Sequence, residues 1–351
     1  MVYGLLLGGD LLLDARGAGK GFLISLRASN RFSPRYLDGL EFSIALLADH
    51  AEAHGWPPVA RLTTSHLEEY LAALQVRPRW FAEREKDKPR GLSQGTIETH
   101  YRRLRTFFGW LVRRGHIERN PFDLIPHPHI DEVDIPIVTE RECRRLVQLV
   151  DPQLARTRIE RFHLIRDRAA LFLLLDTPGR RQELATLRTA AVDLDRGVVH
   201  VMGKGRRERG MPLGAAATQA LWDYVQARAA IRPATDLLWT DERGRGLKET
   251  WLYLMVRRLG VRAGVPGLRP HRFRHTYATA ALASEQMSER ILEVIGGWRR
   301  IPQTYRRHVE LAHAIPLHRK ISPADKLTSS GEHTGVAMPR STSAKPRRGR
   351  L

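Results

Sequence analysis

Residues 92–122 constrain the fold most, because their apolar side chains recur at helical spacing over several turns. Gly115 is expected to end this helix, and Pro121 prevents it from restarting. Weaker patterns of the same kind precede it at 36–55 and 63–75. The apolar face of the clearest helix consists of Ile97, Tyr101, Leu104, Phe108 and Leu111. These patterns together predict a helical domain over residues 34–125.

Basic side chains, Arg102, Arg103 and Arg105 among them, lie mostly off that apolar face. By itself this pattern favours an amphipathic helix with a solvated basic face. Lys and Arg outnumber Asp and Glu by 58 to 38, which gives a formal net charge of +20. A surplus of this size favours nucleic acid as the partner, with an anionic membrane surface as the second choice. No apolar run approaches the ~20 residues of a spanning helix, which disfavours the membrane. The single cysteine, Cys143, excludes an internal disulfide and suits a cytoplasmic location.

A second domain is predicted over residues 139–322, after a proline-rich linker at 126–138. Thr139 and Glu142 have the spacing of a capping box at the start of its first helix. A buried helix is predicted at 165–177 and a strand-like alternation at 192–213, followed by helices near 214–231, 248–264 and 272–295. The expected fold is therefore mainly α with a small antiparallel β-sheet.

Both ends of the chain are set apart from these domains. Residues 1–33 form an N-terminal extension that no pattern assigns. The segment GAGKG at 17–21 lacks the spacing of a phosphate-binding loop. Residues 323–351 have the composition of a disordered basic tail.

Two candidate phosphate-binding segments lie in the second domain. Arg180 occurs in TPGRRQEL, three residues before Glu183, and a guanidinium fork suits the oxygens of a phosphodiester. Lys204 lies between two glycines in GKGRRER, where its ammonium could protonate a leaving alkoxide. Arg206 and Arg207 follow in the same predicted hairpin. Taken alone, each segment is better explained as an ordinary charged loop.

Two further segments complete the set of candidates. In LRPHRFRHTYATA, His271 and Arg274 are three residues apart at the start of a helix, so they share a face. His275 points elsewhere and is expected to be structural. In GGWRRIPQTYRR, Trp298 offers one N–H donor and Tyr305 is a lone phenol among arginines.

Taken in order, these motifs resemble the tyrosine recombinases of the phage-integrase family over about residues 35–320. The family pattern is Arg before Glu-Leu, a Gly-Lys-Gly hairpin, His-x-x-Arg-His, Gly-His or Gly-Trp, and then the nucleophilic Tyr. This chain has Trp298 where a histidine is usual, and the interval from Trp298 to Tyr305 is about two residues short. The short interval puts the position of the nucleophile in question.

The resemblance implies a two-domain DNA clamp, with a helical core-binding domain and a tyrosine-recombinase catalytic domain. It also implies a site-specific DNA recombinase or integrase in which Tyr305 forms a 3′-phosphotyrosyl link. Arg180 and Arg274 would hold the phosphate, and Lys204 would protonate the departing 5′-oxygen. His271 would assist proton transfer, and Trp298 would donate a hydrogen bond. Glu183 and His275 would support the site.

The implied partners are double-stranded DNA, three further copies of the chain in a tetramer on two DNA sites, and accessory DNA-bending proteins. No metal and no cofactor is expected, and the location is cytoplasmic, at the nucleoid. The expected DNA contacts are Arg102, Arg103 and Arg105 in the helical domain, and Arg206, Arg207 and Arg272 in the second domain. Two alternatives stay open: a catalytically impaired DNA-binding relative, and a DNA-relaxing enzyme similar to type IB topoisomerases.

Overall fold

The computed structural model describes residues 14–77, 91–131, 135–203, 208–284, 286–306 and 309 of the 351-residue chain. The chain divides into two compact units, Met1–Val133 and Asp134–Leu351, and each unit has its own hydrophobic core. The predicted tail at 323–351 lies outside the described residues. The predicted domain boundaries stay predictions.

The first unit contains four α-helices within its described residues. Ser33 and Ser93 cap α2 and α4, because each hydroxyl accepts a hydrogen bond from a backbone N–H of the first turn. The predicted apolar face of α4 is buried in the core. The helices are α1 (Ala15–Ala28), α2 (Pro34–Ala53), α3 (Thr64–Val76) and α4 (Gln94–Arg113).

Helix α1 occupies the stretch that the sequence patterns left unassigned, and it contributes Phe22 and Leu23 to the first core. A Cβ at Gly19 would lie 2.6 Å from the side chain of Ile44 on α2. Glycine therefore allows the two helices to approach closely. The GAGKG segment serves this helix packing.

The second unit is mostly helical with a three-stranded antiparallel sheet in the order β1-β2-β3, so the predicted fold class is confirmed. Val199 pairs with Met211 in its register. The strands are β1 (Val192–Asp193), β2 (Val198–Met202) and β3 (Glu208–Pro212). The helices are α5 (Glu140–Gln148), α6 (Arg158–Asp176), α7 (Arg181–Ala185), α8 (Ala215–Ala230), α9 (Thr250–Arg262), α10 (Pro270–Ala283) and α11 (Glu289–Gly296).

Helix α6 is central to the second core and packs against α8, α9 and α10. The predicted capping box starts α5, because Thr139 and Glu142 each bond the other's backbone N–H. None of the helices in the described ranges is long and apolar enough to cross a bilayer.

The prediction of one helix over 272–295 was wrong, because α10 ends at Ala283 and α11 begins at Glu289. Ser288 starts the new helix by accepting a hydrogen bond from the N–H of Ile291. A cap of this kind satisfies a donor that has no partner inside the helix.

Arg272, predicted to contact DNA, has a different role in the structure. It is 8% exposed, and its guanidinium donates to the carbonyls of Pro136, Ile137 and Pro266 at 3.0, 3.0 and 3.2 Å. Its donors are thus used inside the protein. Arg272 anchors the segment before α5 to α10, and we withdraw it as a DNA contact.

Candidate active site

A cleft of about 380 Å³ in the second unit brings together five of the six predicted catalytic side chains. Lys204 is the sixth, and it lies outside the described residues. Those in the cleft are Arg180, His271, Arg274, Trp298 and Tyr305, beside Gly179, Arg181 and Gln182. Hydrogen bonds and ring contacts hold these side chains in place.

Arg180 is positioned by the end of α6 and the start of α7. Its backbone N–H donates to Glu183 at 2.8 Å, and its Nη1 donates to the same carboxylate at 2.8 Å. The Arg180 side chain is still 42% exposed. The backbone of Arg180 is therefore held in place, while its guanidinium remains accessible to a ligand.

A second arginine, Arg209 of β3, donates two hydrogen bonds to the Glu183 carboxylate, from Nη2 at 2.6 Å and from Nη1 at 3.1 Å. Burial alone would raise the pKa of Glu183, but the hydrogen bonds from Arg209 and Arg180 outweigh it and hold the pKa below its ordinary value. The carboxylate is therefore ionised at neutral pH. Its chemistry is that of an orienting group for Arg180.

Arg274 is buried beneath the indole of Trp298. Its guanidinium carbon lies 4.2 Å from the ring centroid, and Nη2 donates to the carbonyl of Gly296 at 2.9 Å. Nη1 donates to the carbonyl of Pro178. Burial lowers the pKa of Arg274, and the nearby Tyr305 only partly offsets this effect. Arg274 thus links the end of α6 to the end of α11.

The C-terminal end of α11 holds three guanidinium groups on three consecutive carbonyls. Arg209 Nε donates to Ile295 at 2.9 Å, Arg274 Nη2 to Gly296 at 2.9 Å, and Arg180 Nη2 to Gly297 at 3.2 Å. The last carbonyls of a helix lack partners within it and carry partial negative charge. The helix end therefore both attracts and spaces the arginines.

Gly297 makes this end of the helix possible. Its φ of 64° is left-handed, a conformation that glycine adopts without strain and that commonly ends a helix. A Cβ at this position would also come within 3.0 Å of the Arg209 guanidinium. A larger residue would disturb both the turn and the arginine.

Tyr305 lies on residues 303–306, which are helical, and is only 3% exposed. Its ring is 5.3 Å from Trp298 and 5.0 Å from His275, and it lines the cleft beside Arg274. The interval from Trp298 to Tyr305, although short, therefore still brings the phenol into the cleft. Arg306 holds the segment next to α11 through two 2.6 Å bonds to Glu289.

The two histidines of α10 have different surroundings. His271 lines the cleft, and burial together with the charge of Arg274 lowers its pKa below 6.5, so the ring is neutral at neutral pH. His275 is fully buried, and its Nε2 lies 3.3 Å from the carbonyl of Thr304. His271 is thus available for proton transfer, whereas His275 positions the Tyr305 segment.

Of the remaining predicted DNA contacts, three belong to the first unit and two lie outside the described residues. Arg206 and Arg207, like Lys204, lie outside the described residues. In the first unit, Arg102 pairs with Glu98 at 2.5 Å and Arg105 with Asp123 at 3.0 Å. Arg103 is half-buried and donates to the Ser43 hydroxyl at 3.3 Å.

Arg209 is the functional candidate that the sequence patterns missed. A signal for it existed, because side chains two apart in a strand share a face. Met211 is an apolar residue on a predicted strand, and both it and Arg209 are buried. That period would have placed Arg209 inward, beside the core.

Chemically, the cleft suits a phosphodiester. Two guanidinium groups can offer several parallel N–H donors to phosphate oxygens, and the indole can offer one more. A phenol lies beside them with a neutral imidazole near it.

Residues that could hold a metal ion lie elsewhere. Among the described residues, His50, His54 and Glu69 of the first unit form such a group.

Residues 137–314, about half of the chain, match the model of the phage integrase family. The chain belongs to the phage integrase family. The matched range of this integrase-family chain contains every side chain of the cleft. The prediction of a tyrosine site-specific recombinase, an enzyme, is thereby confirmed.

Curated relatives extend over most of the integrase-family chain. The tyrosine recombinase XerC of Azotobacter vinelandii is 28% identical over 302 residues, which cover 86% of this chain and 94% of the relative. The XerC protein of Pseudomonas aeruginosa strain LESB58 is 27% identical over 305 residues, with coverage of 87% and 94%. The similarity therefore includes the first unit as well as the cleft.

Solved structures share the fold. The Tn1549 transposon integrase in complex with transposon right-end DNA has a TM-score of 0.65 at 19% identity and covers 88% of this chain and 100% of its own. The XerH recombinase bound to its difH substrate has a TM-score of 0.63 at 16% identity, with coverage of 82% and 80%. At these identities the likeness concerns the fold.

Proposed function

We propose that this recombinase cuts and rejoins duplex DNA through a phosphotyrosyl intermediate on Tyr305. The observation that carries this proposal is that Tyr305 lines the same cleft as Arg180, His271 and Arg274. A phenol has an ordinary pKa of about 10, so it needs cationic donors to act as a nucleophile at neutral pH.

The two arginines bind the scissile phosphate in this proposal. Arg180 and Arg274 donate to its non-bridging oxygens, where negative charge accumulates in the pentacoordinate transition state. Trp298 donates a further hydrogen bond. Because all three guanidinium groups at the end of α11 are already held by carbonyls, little reorganisation is needed when the phosphate enters.

Proton transfers accompany the attack. The Tyr305 oxygen forms a bond to phosphorus as the bond from phosphorus to the 5′-oxygen breaks. His271 accepts the phenolic proton, and Lys204 supplies a proton to the 5′-oxygen. The 5′-hydroxyl of another strand then attacks the phosphotyrosyl phosphorus and releases Tyr305. One ester replaces another, so the chemistry consumes neither ATP nor a metal-bound water.

Double-stranded DNA is the partner, and the net charge of +20 supports it. The basic side chains Arg102 and Arg105 are exposed on α4 and are proposed to contact the DNA backbone. We further propose a tetramer on two DNA sites, assisted by DNA-bending proteins, at the nucleoid in the cytoplasm.

Two other functions remain as outcomes of experiment. A catalytically impaired relative would bind DNA without cleaving it, and the position of Tyr305 in the cleft with Arg274 argues against this. A DNA-relaxing enzyme would share the chemistry, and the four-helix first unit favours the recombinase.

The test uses duplexes that the full-length protein selects from a random pool, each nicked at one position near the centre. Cleavage next to a nick releases a short fragment and traps the covalent adduct. We expect wild type to form the adduct in EDTA, and Tyr305→Phe to bind the duplex without forming it.

Tyr277→Phe is the matched control, since Tyr277 packs against the hydrophobic cluster that contains Tyr305. It should form the adduct. An adduct that persists in Tyr305→Phe would assign the nucleophile to another residue, and cleavage without an adduct that requires Mg²⁺ would favour a nuclease.

A further inference from the structure

Two histidines and a glutamate meet where α2 approaches α3 in the first unit. His50 and His54 are one turn apart at the end of α2, and Glu69 lies on α3. One ring nitrogen of each histidine and one carboxylate oxygen all lie within 4.8 Å of one another. Ligand atoms around a tetrahedral Zn²⁺ are about 3.4 Å apart, given bond lengths near 2.1 Å. Small side-chain rotations would therefore close the set around an ion.

The hydrogen bond of His54 leaves one of its ring nitrogens with a free lone pair. Its Nδ1 lies 2.8 Å from the carbonyl of His50. A carbonyl can only accept, so Nδ1 carries the proton and Nε2 keeps its lone pair. Metal-binding histidines are oriented by this type of bond from the other ring nitrogen.

His50 supplies an independent sign of a ligand. Its Nε2 is buried and has no hydrogen-bond partner among the described residues. Buried polar atoms in folded proteins nearly always have a partner, so an unsatisfied imidazole nitrogen points to a missing one. The ring is held in place by the edges of Trp56 at 5.0 Å and Tyr70 at 5.4 Å.

We propose that His50, His54 and Glu69 bind a Zn²⁺ ion. Two imidazoles and one carboxylate are a common zinc set, with water in the fourth position. The ion joins the end of α2 to α3 across residues 55–63, and so stabilises the first unit. This role is separate from the chemistry at Tyr305.

No local sequence motif marks this site, because its three ligands come from two helices. His50 and His54 are four residues apart, which places them on one helix face. Glu69 follows fifteen residues after His54 and is brought near only by the packing of α3.

The test uses the full-length protein without any purification tag, stripped with EDTA and then freed of the chelator. Zn²⁺ is titrated while the melting temperature is followed, and Co²⁺ is titrated while its visible absorption is recorded. We expect one tight equivalent, a higher melting temperature and a tetrahedral Co²⁺ spectrum. His54→Gln and Glu69→Gln should each weaken Zn²⁺ binding by at least tenfold, because one of three ligands is lost.

Glu68→Gln is the matched control, because Glu68 is the exposed neighbour of Glu69 on α3 and points about 100° away. It should bind Zn²⁺ as wild type does. His54 and Glu69 are themselves exposed, so the metal-free variants should melt as the metal-free wild type does.

Two results would overturn the proposal. The first is the absence of a tight Zn²⁺ equivalent and of any rise in melting temperature in wild type. The second is equal Zn²⁺ affinity in wild type, Glu69→Gln and Glu68→Gln, which would assign the binding to others among the fifteen histidines.

Discussion

Arg209 donates two hydrogen bonds to Glu183, with its Nη2 and Nη1 2.6 and 3.1 Å from the carboxylate oxygens. Both side chains are nearly buried, at 7% and 10% exposure. Since Glu183 also holds the backbone and guanidinium of Arg180, the pair controls where Arg180 meets a phosphate. Arg209 is thus a positioning residue for a cleft that it does not line.

Arg209→Lys tests this positioning. Lysine cannot bond Glu183 twice and Ile295 once, because it lacks the planar fork. We expect the single-turnover cleavage rate to fall by about 10²-fold, the scale of an ångström-sized displacement, with DNA affinity unchanged.

Arg196→Lys is the control for that substitution, since Arg196 is 83% exposed in the same sheet region. It should cleave at the wild-type rate. A double variant, Arg209→Lys with Glu183→Gln, should be little slower than the slower single variant. Fully additive effects would contradict a shared role.

Lys204 and Arg180 should fail in different ways. Lys204→Ala should recover nearly wild-type cleavage on a 5′-bridging phosphorothioate, because sulfur leaves without an acid. Arg180→Ala should stay about 10²–10³-fold slow on the same substrate, since it loses transition-state charge stabilisation. The measurement is the rate of adduct formation on both substrates. A Lys204 variant that sulfur does not rescue would exclude Lys204 as the general acid.

The pH profile of cleavage should reflect His271. Its pKa is lowered below 6.5 by burial and by Arg274, so the imidazole is neutral at pH 6.5 and above. We expect the rate to change little as pH falls to about 6.5, and to decline below that as the ring is protonated. His271→Gln should be slower and should lack this decline. An unchanged acidic decline in the variant would assign it to another group.

Acid unfolding should reflect Glu183. Its pKa in the folded state lies below the ordinary value of 4.5. The stabilisation is therefore complete above about pH 4.5 and is lost as pH falls through the folded-state pKa. Glu183→Gln should lower the free energy of unfolding in urea at pH 7, with a smaller further loss in acid than wild type.

Glu140→Gln provides the comparison for that experiment, because Glu140 is 80% exposed in its ion pair with Arg144. Solvent screens a pair of this kind, so the variant should follow wild type at every pH. Identical acid profiles of wild type and Glu183→Gln would show that the buried carboxylate is not linked to stability.

Local patterns were sufficient for much of the fold. The apolar period predicted α2, α3 and α4 close to their observed ends, and the Thr139–Glu142 spacing predicted the start of α5. The motifs around Arg180, His271 and Arg274 identified the family. Such features depend on neighbours within a turn or two, where residue type alone decides the geometry.

The sequence by itself therefore determined most of the helices and which side chains have the chemistry for a phosphate. It did not determine α1 or the break between α10 and α11. Only the tertiary structure decided how these side chains are held. Arg209 bonds a carbonyl 86 residues away, Arg180 one 117 residues away, and Glu69 reaches His50 through helix packing. Contacts between such distant positions follow from which groups are buried together. Which groups are buried together depends on the folded core, and no local sequence periodicity indicates it.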